Sequence, residues 1–320
     1  MRILLQSHKH GLFPFAFRLK NEGHEVVATT TRKRYLKAWG GDWLNPIMQG
    51  EEEGDFDHTI SDVVKNDEAD YRTLATEYPR SPVRLGAWFD GEGWLDRHLC
   101  VYDYGAWPGG LGPMVPAAMT AVSLSSETTI EYLSEALNLS AVADQLKSER
   151  FRGPVQVGCA VSEDGLKADG LAAGFFPLHV HSLVHSLDAF GHMLDGLDHQ
   201  TYQKRYTVVL PVTMPPFPYP PLRQIEPGQH DILGLTPKQL GKFFWHDVQV
   251  RPEEKSLATG GLDGFVGVAR GAAESLELAR GTALGLASAV QLPQKQFRYD
   301  VGGLVPTVLQ QLESSLDLIP

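Results

Sequence analysis

Two short apolar runs, Arg2-Ile-Leu-Leu5 and His24-Glu-Val-Val-Ala28, enclose a stretch from Phe13 to Lys20 with helical apolar spacing, which Asn21-Glu22-Gly23 closes. Strand, helix, glycine turn and strand in that order open a parallel α/β unit, since parallel strands need a crossover and that crossover is almost always right-handed. The link between first strand and first helix, Ser7-His8-Lys9-His10-Gly11, then falls at the carboxyl end of a strand and at a helix N-terminus. Ligands of open α/β sheets bind at that edge, and helix N-termini attract anions. A serine, a lysine and two histidines suit a phosphate there, so His8 and Lys9 are candidate substrate contacts. A plain polar loop accounts for the same residues equally well. The Gly-rich dinucleotide fingerprint is absent.

The 320 residues suffice for two or three compact units, and polar Glu51-Glu-Glu-Gly-Asp55 and the change of pattern near Lys204 place boundaries. We expect an N-terminal α/β unit over 1–60, a second unit over 61–204 and a third over 205–320. Leu85 to Pro116 is rich in Gly, Trp and Tyr and reads as hairpins and loops; Glu127 to Leu146 is helical; Val155 to Val161 is a strand. Tyr206-Thr-Val-Val-Leu210 reads as a strand leading into Met214-Pro-Pro-Phe-Pro-Tyr-Pro-Pro221, a fixed loop or a polyproline ligand. Phe265 to Ala269 is a strand and Ala272 to Ala289 a helix.

No apolar run is long enough to span a bilayer and MRILLQ is no secretion signal, so a membrane is not an expected partner. Cys100 and Cys159 lie far apart, in no metal-ligand spacing, which fits a reducing cytoplasm. A formal charge of −11 repels a phosphate backbone and disfavours duplex DNA as the main partner.

The most unusual pattern is His181, His185, Asp188, His192, Asp195 and His199, at steps of four or three, one stripe of a helix whose opposite face is Leu and Phe. The Leu/Phe face is core. A solvent-facing stripe is the plainer reading of the other, although such stripes usually carry Glu and Lys. His pairs four apart also shuttle protons or bind metal, which makes His181 and His185 candidate catalytic residues. A third feature, Leu257-Ala-Thr-Gly-Gly-Leu-Asp263, pairs glycines before a strand; it is a plain turn or a close backbone approach to an anion.

Several segments of the last third stand together in a known order. The proline-rich loop, Ile232-Leu-Gly, Phe243-Phe-Trp-His246, Thr259-Gly260-Gly261, and Phe297-Arg298-Tyr-Asp300-Val-Gly302 resemble the C-terminal domain of phosphoribosylamine–glycine ligase. Upstream, Trp88-Phe-Asp90-Gly-Glu is similar to that family's Phe-x-Asp-Gly hairpin. Asp103 to Pro116, with Gly109, Gly110 and Gly112, is similar to its Thr-Gly-Gly-Met-Gly-Ala loop. The resemblance implies a mixed α/β, ATP-grasp-like fold. It also implies substrate contacts at Trp88, Asp90, Gly109, Gly110, Gly112, His246, Thr259, Gly260, Gly261, Arg298 and Asp300.

The chain departs from the family in three places, one being the N-terminal loop, which lacks the family's Gly-Gly-Arg-Glu-His sequence. Too few residues precede Trp88 for the subdomain that clamps ATP, which is therefore expected to be reduced or missing. The family's metal-binding strand carries Glu and Asn two residues apart and then Arg; here the stretch is Lys167-Ala-Asp169-Gly-Leu171-Ala-Ala173. Asp169 is the one candidate metal ligand and catalytic carboxylate. Magnesium asks for several oxygen ligands in octahedral order.

Three functions stay open. One is a ligase joining a glycine-like amino acid to a phosphorylated acceptor, with Mg-ATP as cofactor. The second is an ATP-independent transferase acting on a pyrophosphorylated nucleotide or DNA base, as a virus-encoded base-modifying enzyme would. The third is a non-catalytic ligand-binding relative. All three take small molecules as partners.

Overall fold

The computed structural model describes all residues except 38, 40–42, 65–67, 75, 125, 163–164, 187–193, 195–203, 220–227, 252–255 and 317–320. The N-terminal sheet is wholly parallel. Its strands β1 (Arg2–Ser7), β2 (Glu25–Thr30), β3 (Ile47–Met48) and β4 (His58–Ser61) stand in the order β3-β2-β1-β4. Helix α1 (Phe13–Asn21) makes the expected crossover from β1 to β2. It buries Phe13, Phe15, Ala16 and Leu19, the i, i+3, i+4 stripe of an amphipathic helix. Gly23, at φ +91°, supplies the left-handed turn that returns the chain to β2.

The rest is built on a larger sheet of eight strands. These are β5 (Val83–Phe89), β6 (Trp94–Tyr104), β7 (Pro116–Ser123), β8 (Gly153–Ser162), β9 (Gly165–Ala173), β10 (Tyr206–Thr213) and β11 (Phe243–Trp245), then, past the hairpin of β12 (Val248–Arg251) and β13 (Ser256–Thr259), β14 (Phe265–Ala273). The order is β11-β14-β10-β7-β6-β5-β8-β9, every pairing antiparallel. Strands from both sides of residue 204 thus share one sheet, joined where β10 bonds to β7.

Both faces of this sheet are covered, so β6 is apolar in alternation without a polar side. Leu99 and Val101 join a core with Leu133, Leu139 and Leu146 of helices α2 (Glu127–Ala136) and α3 (Leu139–Ser148). Cys100 and Tyr102 point the other way, into the core that holds Val180 of helix α4 (Pro177–Ser186). The single helical run expected from 127 to 146 is two helices, because Asn138 adopts a left-handed conformation at φ 49°. Met214 to Tyr219 forms a loop in which Met214 N–H donates to Gly264 O at 2.9 Å, and its Pro215–Pro216 and Phe217–Pro218 peptide bonds are cis. No helix among the described residues is long and apolar enough to cross a membrane.

Candidate functional site

The carboxyl edge of the parallel sheet faces the loops that follow β10 and β13, and a groove runs between them. It comprises adjoining cavities of about 600 and 470 Å³ that share Lys9, Phe217 and Asp263. Trp39 fastens the two sides: its backbone N–H donates to Val248 O at 2.8 Å and its indole N–H to His246 O at 3.0 Å.

At the floor of the groove His10, buried on α1's entry loop, meets Asp263. Its Nε2 lies 3.1 Å from Asp263 Oδ2. Burial alone would lower the His10 pKa, but Asp263, and Asp247 behind it, reverse this and hold the imidazole above its usual 6.5. Asp263 moves the opposite way, since the attraction and hydrogen bond of His10 outweigh its desolvation and hold it below 3.8. The two directions agree on a charged pair. His10 Nδ1 is buried with no hydrogen-bond partner. Asp62 forms the opposite wall, accepting from Ser7 Oγ at 2.7 Å and His8 N–H at 2.5 Å. Burial pushes its carboxyl up in spite of these donors.

The second cavity is basic and aromatic, lined by Lys9, Arg32, Arg34, Tyr35, Phe217 and Tyr219. His8 bridges the two strand ends: Thr31 Oγ1 is 2.9 Å from Nδ1 and Arg32 Nη2 is 3.2 Å from Nε2. A guanidinium only donates, so His8 Nε2 faces Arg32 as an acceptor. Arg34 donates to Leu262 O, which seats its guanidinium at the mouth.

Of the residues singled out from sequence, His8, Lys9 and His246 line the groove. His181 stands one layer deeper, its Nε2 2.7 Å from His246 Nε2, its ring packed against both Phe15 and Phe244. Burial pushes His181 down to about 3 and His246 well below its usual value, so both are neutral and one donates to the other. The side chain of His185, and all of Asp188, His192, Asp195 and His199, lie outside the described residues.

Thr259, Gly260 and Gly261 shape the turn that delivers Asp263. Thr259 Oγ1 accepts from His230 N–H at 2.9 Å, and Gly261 has φ +67°. An added Cβ on Gly260 would stand 2.5 Å from Asp247 Oδ1.

The other candidates sit elsewhere. Trp88 is core, and Asp90 closes the β5–β6 hairpin by accepting from Glu92 and Gly93 N–H, each at 2.7 Å. Arg298 and Asp300 form a two-pronged ion pair at 2.8 and 2.6 Å. Asp300 also accepts from Gly109 N–H at 2.7 Å, and Arg298 donates to Tyr104 O and Gly105 O. The Gly109-Gly110-x-Gly112 loop and the Arg-x-Asp element therefore do meet, but they satisfy each other. Sequence inspection passed over His10, Asp263, Arg32, Arg34 and Asp62 as individual contacts. The signal for His10 and Asp263 was present, each lying inside a loop that reads either as a ligand contact or as a plain turn.

Asp169 tests the fit of a magnesium nucleotide. Its Oδ2 accepts from Ser81 N–H at 2.8 Å, and it leans over Gly158, which has no side chain to obstruct it. Leu74 and Glu77 bond to the outer edge of β9, Leu74 N–H donating to Ala173 O and Glu77 O accepting from Leu171 N–H. In the same row Arg84 is fully buried, its guanidinium over the rings of Tyr78 and Tyr102 at 4.4 and 4.2 Å. A cation already fills this row, Asp169 is a lone carboxylate whose Oδ2 is taken by Ser81 and whose Oδ1 alone is unpartnered, and Leu171 and Ala173 offer no oxygen. These residues do not fit Mg-ATP.

No protein-family model and no curated relative matches the sequence. Solved structures do match the fold. Phosphoribosylamine–glycine ligase from Thermotoga maritima superposes with a TM-score of 0.65 at 13% identity, over 94% of this chain and all of that one. The biotin carboxylase domain of a single-chain bacterial carboxylase gives 0.52 at 9% identity, over 98% of this chain and 100% of that one. Phosphoribosylglycinamide synthetase from Anaerococcus prevotii gives 0.51 at 8% identity, over 91% and 98%. The fold is the mixed α/β fold that these ATP-grasp structures share.

Proposed function

We propose that the chain is a C–N bond-forming enzyme that joins an amino acid, glycine-like in size, to an activated, pyrophosphorylated nucleotide-type acceptor without ATP. One observation carries this reading: the Lys9/Arg32/Arg34 rim opens onto the same groove as the His10–Asp263 pair. Cationic side chains at the carboxyl edge of a parallel sheet hold phosphate oxygens, while Phe217 and Tyr219 offer faces for a base. The fold neighbours named for glycine ligation and glycinamide synthesis supply the amino-acid part of the proposal.

The chemistry asked of the groove is a displacement. The amine nitrogen attacks the acceptor carbon, the C–O bond breaks, and pyrophosphate leaves with the electron pair. The surplus amine proton passes to His10 in the deprotonated form it takes above its folded pKa, and Asp263 orients the ring and stabilises the imidazolium that results. His181 is a positioning residue here, backing His246. Asp169 and the Arg298–Asp300 pair are not used. A ligase consuming Mg-ATP is the second reading, favoured only by the fold.

The deciding experiment is thermal unfolding with inorganic pyrophosphate, glycine or Mg-ATP, followed by pyrophosphate release from an activated nucleotide in the presence of glycine. A ligand at a hundredfold excess over its Kd adds about 2.7 kcal/mol of stability. A saturable rise with pyrophosphate but not with Mg-ATP supports the transferase. A magnesium-dependent rise with ATP overturns it in favour of the ligase. No response to any of the three leaves the groove without its proposed ligand.

A further inference from the structure

Away from the groove, three metal-binding side chains converge in the interior. His98 and Cys100 are two residues apart on β6 and so share a face, and His179 descends on them from α4. All three are buried, their ligating atoms lie within 4.8 Å of one another, and the two Nε2 atoms are 3.2 Å apart.

The tautomer is fixed on one side. His98 Nδ1 is 2.7 Å from Asp96 O, a group that can only accept, so Nδ1 carries the proton and Nε2 presents a lone pair to the cluster. An outward ring N–H bonded to a backbone carbonyl is the usual support of a metal-bound imidazole.

Gly86 of β5 supplies the space. A Cβ built there would lie 2.5 Å from His98 Nε2, 2.7 Å from His179 Nε2 and 2.9 Å from Cys100 Sγ. A side chain on Gly86 would therefore press against all three donors at once, and glycine leaves the space beside them open. Tetrahedral zinc has Zn–N near 2.0 Å and Zn–S near 2.3 Å, which puts its ligand nitrogens about 3.3 Å apart. The observed 3.2 Å between nitrogens matches that spacing.

We propose that His98, Cys100 and His179 bind a thiophilic divalent cation, zinc(II), which pins helix α4 to the eight-stranded sheet. Two imidazoles and a thiolate favour such a metal over magnesium or calcium, and three protein ligands leave a fourth position for an exogenous one. The role is structural, because the cluster lies in the core and apart from the groove residues.

The untagged full chain, stripped with chelator, is titrated with cobalt(II) while the thiolate charge-transfer absorption is followed. One equivalent should saturate the signal, raise Tm, and be displaced by one equivalent of zinc(II). Cys100→Ser should lose the charge-transfer band, and Cys159→Ser should keep it. Gly86→Ala, whose Cβ would crowd all three donors, should lose binding. If stripping unfolds the chain, zinc per chain as purified is measured instead, with one equivalent expected. A folded chain that neither carries nor takes up metal overturns the proposal. A band that survives Cys100→Ser or depends on Cys159 overturns it too. Either failure leaves the groove assignment untouched.

Discussion

Asp247 lies behind Asp263 and sets its position: one carboxylate oxygen, Oδ2, accepts the backbone N–H groups of Leu262, Asp263 and Gly264 at 2.8, 2.9 and 3.0 Å. A buried side chain thus shapes the loop from within, and the loop presents the carboxylate that meets His10. The absence of a side chain at Gly260 leaves room for Asp247 Oδ1. Gly260→Ala should therefore displace the Asp247 cage and loosen the His10–Asp263 contact. Turnover should fall together with a loss of stability of roughly 1–3 kcal/mol, read from urea unfolding, the usual size for overpacking a filled site.

His10→Gln removes the proposed base while keeping a polar side chain of similar reach. General-base loss usually costs about 10²–10⁴ in rate, and pyrophosphate release should fall by that factor. Full turnover in this variant would remove His10 from the chemistry.

The ion pair makes two pH predictions. His10 has a folded pKa above 6.5, so its stabilisation is whole below that value and is lost as pH rises through the folded pKa. Asp263 has a folded pKa below 3.8, so its share is whole above that value and is lost as pH falls through the folded pKa. The pair thus stabilises most between those limits, and Asp263→Asn should lower the urea midpoint within this window and lessen its fall on either side. For turnover the sign is opposite, since a base must be neutral. The acid limb of kcat/KM should lie above pH 6.5 and move to lower pH in Asp263→Asn, where burial acts on His10 without its partner.

At the rim, Lys9→Ala and Arg32→Ala should each weaken pyrophosphate binding about 10- to 100-fold, the equivalent of a charge-assisted hydrogen bond. Raising the salt concentration should weaken the wild type more than either variant, because exposed charges are screened. Isothermal titration at two ionic strengths measures both.

Over β9, Arg84→Met should cost about 3 kcal/mol in urea unfolding, because Gln156 and the Tyr104 hydroxyl lose their cationic partner inside the core. Asp169→Asn should leave the thermal response to Mg-ATP unchanged from wild type.

Local pattern carried the N-terminal unit: the spacing of Phe13, Phe15 and Leu19 and the turn at Gly23 are short-range signals, and the observed α1 follows them. The two loops that build the groove were also legible, as polar or glycine-rich punctuation beside strands. Their meeting was not, since His10 and Asp263 are 253 residues apart and no periodicity reports such a pairing. The His98/Cys100 pair shows a different failure. Cysteine spacing was considered alone, whereas the strand period of two would have put Cys100 beside His98. The glycine loop at 109–112 pointed to a ligand because flexible backbone is compatible with either a substrate or an internal partner, and here Asp300 takes the N–H.

Helix α4 has one last consequence. Residues two apart on a helix point about 200° away from each other, given 3.6 residues per turn. His179 reaches across the sheet towards β6, while His181 reaches the opposite way, to His246 just beyond β11. The helix therefore works like a key with teeth on both edges. A turn about its own axis that improved one imidazole's fit would withdraw the other, so its rotational setting is fixed from two sides at once.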